Sequence, residues 1–512
     1  MTDQPTPHLL KPWDTHNQKT ASHVHPADWK NPEPQEMYNL VVLGAGTAGL
    51  VSAIGSAGLG AKVALVEKHL MGGDCLNVGC VPSKALIRAS RAAHDARQAS
   101  EFGVKISGPI EVDFPQVMER MRRLRADISG NDGAQRFTDK GVDVFIGDGK
   151  FTGPNTIEVN GKTLHFRKAV VATGARAVEL PIPGLKDVGY LTNETIFSLT
   201  ELPKRLAVIG AGPIGCELSQ AFARFGSEVT LIEAAGQILT REDQDAARIV
   251  EAQMKKDGVK IVSGCKIKKF SKRGQDKVIE LEGTDGCDEI IADAILIGIG
   301  RAPNVEGIGL EEAGVEFDVR SGVKVDETLQ TTNPDIFAAG DICSPYKFTH
   351  TADAMARIVI QNALFGVPGF KKKTSALVIP WCTFTDPEIA HVGLYEQQAL
   401  DAGFEVHTVT QPLNEVDRAI LDGDTDGFAK IHVDKRNGTI LGATIVARHA
   451  GEIISEMTLA MTAGLSMGKL ATTIHPYPTQ AEVLKRAADA YNRTRLTPTV
   501  TGLFDAILSW KR

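Results

Sequence analysis

Cysteine is scarce in this chain, with seven among 512 residues. So few in so long a chain rule out a secreted framework stapled by disulfides. An excess of positive charge is also missing. Lys and Arg number 56 against 63 Asp and Glu, which leaves a formal net charge of −7 and a pI near 6.0. Nothing in that balance marks nucleic acid as a partner. The first 36 residues contain no apolar core segment, so no secretory signal is visible and the expected compartment is the cytoplasm. One charge-free stretch, Tyr38 to Ala61, has the length of a membrane span. Its glycines sit where a strand turns into a helix, and it reads as strand, turn and buried helix. The rest is ordinary for a soluble globular protein: 43% hydrophobic and 23% charged residues. The length suits about three to four domains.

Five of the cysteines, Cys216, Cys265, Cys287, Cys343 and Cys382, are scattered and read mostly as inert thiols. The polar arm 1–36 carries His8, His16, His23 and His25. Two readings stay open for it: a metal-binding tail, and a poorly ordered or surface-wrapping extension.

The chain contains an internal echo. Leu40-Val41-Val42-Leu43 runs into Gly44-Ala45-Gly46-Thr47-Ala48-Gly49, and Leu206-Ala207-Val208-Ile209 runs into Gly210-Ala211-Gly212-Pro213-Ile214-Gly215. Each apolar run is expected to be a buried parallel strand followed by a helix. A second strand completes each unit and ends in an acid, Glu67 or Glu233, at the same offset from the first glycine. Two complete βαβ units with matching acids predict two dinucleotide sites. The first glycine permits the tight turn. The second lets backbone approach a pyrophosphate at the helix N-terminus, and the third lets helix pack on strand. The acids accept hydrogen bonds from ribose hydroxyls and repel a 2′-phosphate. No arginine adjoins Glu233 before Arg241, so the second site is expected to prefer NADH.

Between and after these units the chain carries further signals. Residues from about 110 to 165 read as a helix followed by short strands, with turns at Gly153-Pro154-Asn155 and Asn160-Gly161. Val170 to Ala175 and Ile295 to Asn304 each read as a strand entering a glycine turn, and Ile336 to Asp341 as a strand ending in an acid. From about Ser375 alternating strands and two amphipathic helices take over, with no nucleotide fingerprint. The run Gly72-Gly73-Asp74-Cys75-Leu76-Asn77-Val78-Gly79-Cys80-Val81-Pro82-Ser83-Lys84 holds two cysteines five positions apart at the expected start of a helix. That spacing can close a small loop, and a dithiol beside a flavin relays two electrons by thiol–disulfide exchange. A helix N-terminus and Lys84 both favour a thiolate.

Together, the two fingerprints, the cysteine run, the Ala172-Thr173-Gly174 turn, the Gly300-Arg301-Ala302-Pro303-Asn304 run and the Ala338-Ala339-Gly340-Asp341 strand resemble the flavin-dependent pyridine nucleotide–disulfide oxidoreductases. The resemblance covers roughly residues 37 to 490. It implies an α/β fold with two Rossmann-like dinucleotide-binding domains, for FAD and NAD, plus a C-terminal α+β dimerisation domain. The expected boundaries are 1–36 for the arm, 37–180 with 304–372 for FAD, 181–303 for NAD, 373–490 for the interface and 491–512 for a C-terminal extension. It also implies a homodimer in which the C-terminal domain of one subunit completes the other's active site. By resemblance Cys80 is the thiol nearest the flavin and Cys75 the interchange thiol. Lys84 and Glu217 form an ion pair near flavin and nicotinamide. Gly44, Gly46, Gly49, Glu67, Gly73, Gly149, Thr173, Gly174 and Asp341 fall to FAD. Gly210, Gly212, Gly215, Glu233 and Gly300 fall to NADH.

The acceptor side separates members of that family. Dihydrolipoamide dehydrogenase and glutathione reductase carry His-Pro-Thr and a Glu three residues after the Thr, the His serving as base for the substrate thiol. Here the run is His475-Pro476-Tyr477-Pro478-Thr479-Gln480-Ala481-Glu482, with Tyr477 at the place of the base and Glu482 keeping the acid. A tyrosine with pKa near 10 is a poor base at neutral pH. This version resembles mercuric reductase, as do the setting of Tyr190 and Phe384-Thr385-Asp386-Pro387. Tyr190 can also be read as a packing aromatic. Cys75 and Cys80 are then the transient ligands of a substrate metal ion. Two departures stand out: no cysteine follows Cys382, and no cysteine-bearing module precedes the core. Thr501 to Arg512 reads as a short helix with Leu503, Phe504, Ile507, Leu508 and Trp510 on one side. It packs on its own dimer, or it meets a membrane surface or a partner.

Overall fold

A computed structural model describes residues 10–283, 289–367 and 369–512. His8 and Cys287 lie outside the described residues. The chain divides into two compact units: Met1–Ala234 with Gly264–Leu377, and Ala235–Ser263 with Val378–Arg512.

The first unit is built on Tyr38–Leu43, paired in parallel with Val63–Glu67 on one side and Lys162–Val171 on the other. Val142–Ile146 extends the sheet beyond Val63–Glu67, and Ile336–Ala338 joins it in parallel against Lys162–Val171. Two antiparallel strands, Thr156–Val159 and Gly149–Gly153, complete it. Alternate residues of the first strand feed two cores. Leu40 and Val42 pack with Leu65, Val144 and Val170. Val41 and Leu43 pack with Phe145, Phe151 and Phe166. Burial on both faces explains why this strand reads as an unbroken apolar run. Helix Thr47–Gly58 crosses helix Thr349–Phe365 so closely that a Cβ at Gly55 would lie 2.6 Å from Ile360 Cδ1.

The second βαβ element lies in the same unit. Arg205–Ile209 is flanked in parallel by Glu228–Glu233 and Ala294–Ile297. Its helix, Pro213–Phe225, packs against helix Cys80–Gln98, which also packs on helix Phe114–Ser129. Phe114, Phe222 and Phe225 lock that junction with ring centroids 5.8 to 6.1 Å apart. This packing holds the cysteine helix against the second fingerprint.

The described part of the arm is ordered and wraps the first unit. Helix Thr15–Val24 lies on helix Phe114–Ser129, capped by the Asp14 carboxylate, which accepts from Asn17 N–H at 2.9 Å. Asn17 is fully buried, and its Oδ1 accepts from Arg125 Nη2 at 2.6 Å. The same guanidinium donates through Nη1 to the carbonyl of Asn77 at 2.7 Å, so the arm is tied to the cysteine loop. Bonds from a charged donor contribute on the order of 1.5–3 kcal/mol each. Trp29 and Asn31 bond the backbone of the edge strand Val142–Ile146 and cover that edge. His16 faces Glu119, His23 faces Ser129 and His25 faces the carbonyl of His69. Among the described residues no group of three or more His, Cys, Asp or Glu is placed to hold a metal ion. The described part of the arm thus takes the surface-wrapping form, one of the two readings its sequence left open.

The second unit is a five-stranded antiparallel sheet. Its order is Pro380–Thr383, Glu388–Gly393, Ile440–Ala447, Phe428–Asp434, Val406–Pro412. Helices Ala450–Thr462 and Glu482–Thr494 pack on it around Ile431, Ile445, Met457 and Leu484. Helix Pro498–Trp510 follows, and none of its residues is buried. No described helix is long and apolar enough to cross a membrane.

Candidate active site

A continuous α-helix would set residues five apart about 140° from each other. The cysteine run avoids this by breaking. Cys75 sits in a short helix, Gly73–Asn77, and Cys80 is the first residue of the next, Cys80–Gln98, with Val78 and Gly79 non-helical between them. Asn77 steadies the first turn by donating to the carbonyls of Met71 and Gly73 at 3.1 and 2.9 Å. Both cysteines are free thiols. Cys80 lies 3.5 Å from the Thr349 hydroxyl. Its thiol is lowered to about 6, first by the hydrogen bond from Cys75, with partial desolvation opposing and Thr349 and the Lys84 cation assisting. Cys75 is held far above the ordinary thiol range, because it donates to Cys80 and is desolvated. One thiolate and one thiol share a proton at the N-terminus of a helix.

Lys84, one turn into that helix, donates to Glu217 Oε2 at 2.8 Å. The Glu217 side chain is only 7% exposed. The ion pair joins the cysteine helix to the helix of the second fingerprint, so Cys75, Cys80, Lys84 and Glu217 come together. Tyr190 is half-buried, and its segment reaches the cysteine loop through Asn193 Nδ2 and the carbonyl of Val78 at 3.4 Å.

The two fingerprints repeat each other in atomic detail. Gly44 and Gly210 have φ of +103° and +98°, open to glycine. A Cβ at Gly49 would fall 1.8 Å from the carbonyl oxygen of Gly44, and one at Gly215 would fall 1.9 Å from that of Gly210. Glu67 Oε2 accepts from Ala45 N–H at 2.7 Å, and Glu233 Oε2 from Ala211 N–H at 2.7 Å. Burial raises the Glu67 carboxyl above its ordinary value, opposed by N–H bonds from Ala45 and His69. At the middle glycines there is room: a Cβ at Gly212 would meet nothing within 4 Å, and one at Gly46 only Gly73 Cα at 4.0 Å. Neither helix that follows has a side-chain cap. Uncapped N–H groups over an open glycine form a cradle for a pyrophosphate, so these residues fit FAD and a nicotinamide dinucleotide.

The remaining expected residues lie around these cradles. A Cβ at Gly73 would come 2.7 Å from Gly46 Cα. Gly149 packs under Leu43 and Val66. Thr173 Oγ1 donates to the carbonyl of Asn304 at 3.0 Å, and Asn304 N–H returns to the carbonyl of Gly174 at 3.0 Å, so the two glycine turns interlock. The carbonyl of Gly300 accepts from Val178 N–H at 3.2 Å. Burial raises the Asp341 carboxyl from its ordinary value, opposed by Arg301 and Lys347. Arg301 contacts Asp74, and its Nε is 3.4 Å from Asp341 Oδ2. Sequence reasoning did not single out Thr349, Asn77, Arg125 or Asp74 as site residues, nor Arg301 by itself. Thr349 is 269 positions from Cys80, and no local pattern signals such a contact.

Tyr477 and Glu482 belong to the second unit. The Tyr477 hydroxyl donates to Asp417 Oδ2 at 2.8 Å, and that bond raises the phenol above its ordinary value. Glu482 Oε1 accepts from Arg486 Nε at 3.2 Å, while Glu482 Oε2 is buried without a hydrogen-bond partner. His475 turns to Glu456, with Nε2 3.0 Å from Oε1.

Residues 38–356 match the family model described as pyridine nucleotide-disulphide oxidoreductase, and residues 379–488 match that family's dimerisation domain. The chain belongs to the pyridine nucleotide-disulphide oxidoreductases. Members of this family bind FAD and depend on NAD(P)H. A mercuric reductase of Bacillus cereus is 37% identical over 464 residues, 90% of this chain and 73% of that protein. A dihydrolipoyl dehydrogenase of Geobacillus stearothermophilus is 37% identical over 454 residues, 88% of this chain and 95% of that protein. Among solved structures, the Cu(II) complex of the HOCl-induced flavoprotein disulfide reductase RclA from Escherichia coli superposes with a TM-score of 0.79 at 29% identity, covering 89% of this chain and all of that one. The dimerisation domain supports a homodimer. The α/β architecture of parallel Rossmann-like sheets with a C-terminal dimerisation domain stands as the sequence implied.

The thiolate can be tested directly. Alkylation of the reduced protein by iodoacetamide is expected to titrate at Cys80 with a midpoint near 6. Above it the thiolate dominates; below it the rate falls about tenfold per pH unit. Lys84→Met should move the midpoint upward. A midpoint at the ordinary thiol value of about 8.5 would remove the shared proton from the description.

Proposed function

We propose that this protein uses NADH to reduce a metal ion or another small oxidant through Cys75 and Cys80, in the manner of a mercuric reductase and as a homodimer. Gly44, Gly46, Gly49, Glu67 and Asp341 would hold FAD, which would supply two-electron transfer between the nicotinamide and the disulfide. Cys80 faces the cofactor side and Cys75 exchanges with the acceptor. Lys84, neutralised by Glu217, favours the Cys80 thiolate. Glu233 holds the adenine-side ribose of the nicotinamide dinucleotide. The partner subunit supplies Tyr477 and Glu482 to the acceptor side, and Tyr190 lines it. The thiolates of Cys75 and Cys80 are soft ligands suited to a soft cation. For an ion that takes two electrons the balance is NADH plus M(II) giving NAD⁺, H⁺ and M(0). An ion reduced to M(I) is consumed twice per NADH. A surface contact through 491–512 belongs to the same reading, and the cytoplasm is its compartment.

The observation that carries the choice of acceptor is the Tyr477 phenol. It keeps its proton and donates to Asp417, so it offers no base to a substrate thiol. Dihydrolipoamide oxidation is the second reading, favoured by a dihydrolipoyl dehydrogenase relative as similar as the mercuric reductase. A flavoprotein subunit that only binds a partner or membrane is disfavoured by the intact cysteine pair and its Lys84–Glu217 neighbour. The deciding experiment is NADH oxidation screened against Hg(II), Cu(II), lipoamide, glutathione disulfide and quinones. Metal-dependent turnover well above lipoamide turnover is expected. Equal or faster lipoamide turnover transfers the protein to the second reading.

Nucleotide choice is a separate expectation. The Glu233 carboxylate, fixed by Ala211 N–H, would sit against a 2′-phosphate. kcat/KM for NADH should exceed that for NADPH by at least about tenfold, a difference of about 1.4 kcal/mol. A preference for NADPH would show that other residues choose the nucleotide.

A further inference from the structure

Helix Pro498–Trp510 builds itself locally. Thr497 Oγ1 accepts from Val500 N–H at 3.4 Å, and Pro498 occupies the first turn. The rest of the second unit does not cover it: Leu503, Phe504, Ile507, Leu508 and Trp510 are between 42% and 86% exposed. At 100° per residue these five and Val500 share one side, while Thr501, Asp505 and Ser509 share the other. A continuous apolar side of this kind marks an interaction surface. Its charges say which. Arg493 and Arg495 precede the helix and Lys511 and Arg512 follow it, against the single acid Asp505, in a chain whose net charge is −7. All four cations are exposed. A second copy of the same helix would bring like charges together. An anionic surface would be drawn to both ends.

We propose that Pro498–Trp510 lies in the headgroup layer of an anionic membrane surface, apolar side inward, with Arg493, Arg495, Lys511 and Arg512 against lipid phosphates. Thirteen residues span about 20 Å, short of the roughly 30 Å hydrocarbon layer, so the helix lies on the membrane and does not cross it. Trp510 beside Lys511 places an aromatic ring at the headgroup level. The contact is weak and reversible, because one short helix is a single anchoring signal.

The test is co-sedimentation of the full-length holoenzyme with vesicles of phosphatidylcholine, with and without phosphatidylglycerol. Binding to the anionic vesicles is expected, reduced by salt and at least about tenfold weaker in Leu503→Glu/Phe504→Glu. The emission of Trp510 should shift to the blue on anionic vesicles, a change lost in Trp510→Phe. NADH-oxidising turnover in solution should stay at the wild-type rate in both variants. No binding to anionic vesicles, equal binding to neutral ones, or binding indifferent to the double substitution overturns the proposal. Should the vesicles fail and the double variant change the sedimentation mass, the apolar side belongs to a second copy. Should the mass also stay unchanged, it belongs to a protein partner. Either result rejects the lipid.

Discussion

Replacing Cys75 with serine is expected to lower metal- or disulfide-dependent NADH oxidation by about a hundredfold or more while leaving the Cys80 thiolate in place. The geometry separates the two sulfurs. Cys80 opens the long helix, has Thr349 at 3.5 Å and is lowered to about 6. Cys75 is the proton donor of the pair and sits in the short helix before the break. A serine at 75 can still donate to Cys80, so the long-wavelength absorption of a thiolate against oxidised flavin, which the unaltered protein gains on two-electron reduction, should be present in Cys75→Ser before any reduction. Cys80→Ser should abolish that absorption. A serine cannot form the disulfide, so both variants should lose turnover although only one loses the band. That split is what a merely structural role would not produce. If Cys75→Ser keeps full metal-reducing activity, electrons leave the cofactor directly and the relay reading fails.

Much of this site was legible in the chain because its chemistry demands particular residue types at short range. The turn at Gly44 and the approach at Gly49 accept no side chain, and the same holds at Gly210 and Gly215. The echo therefore survives as letters. Glu67 and Glu233 are fixed by the same N–H bond at the same separation, so their equivalence is plain from the amino-acid sequence. The cysteine pair is local too. What stayed hidden is what the fold brings from afar. The arm looks like a polar tail because its anchors are polar: Asn17 is buried for the sake of Arg125, and Asp14 caps a helix and meets Arg122 at 2.5 Å. No hydrophobic pattern announces such a strap. Thr349 reaches Cys80 only because a later helix returns to the first sheet.

The acceptor side was legible as a substitution but not as a geometry. Tyr477 at the place of a base was plain from the run around Pro478. Its partner Asp417, 60 positions earlier, was not, and neither was the Arg486 that engages one oxygen of Glu482. These contacts sharpen the second large prediction. Tyr477→His is expected to raise dihydrolipoamide or glutathione disulfide turnover and to lower metal reduction. A positioned base is worth about a hundred- to ten-thousand-fold in rate. An imidazole has a pKa near 6.5 and takes a proton at neutral pH, whereas the phenol, raised by its bond to Asp417, does not. Glu482 Oε2 is buried and has no partner, so a carboxylate oxygen is available to orient a new ring. Metal reduction needs no such base, because electrons reach the ion without a thiol leaving group to protonate. Tyr477→Phe should therefore lower metal reduction, through loss of the hydroxyl, without creating dithiol activity. Asp417→Asn is the control: it keeps a partner for the hydroxyl but removes the charge, and should leave dithiol turnover as low as in the unaltered protein. Steady-state kcat/KM for each acceptor decides the matter. Should Tyr477→His gain nothing with dithiols while the unaltered enzyme already oxidises dihydrolipoamide as fast as it reduces any metal, the tyrosine is no barrier and the metal-reductase reading falls.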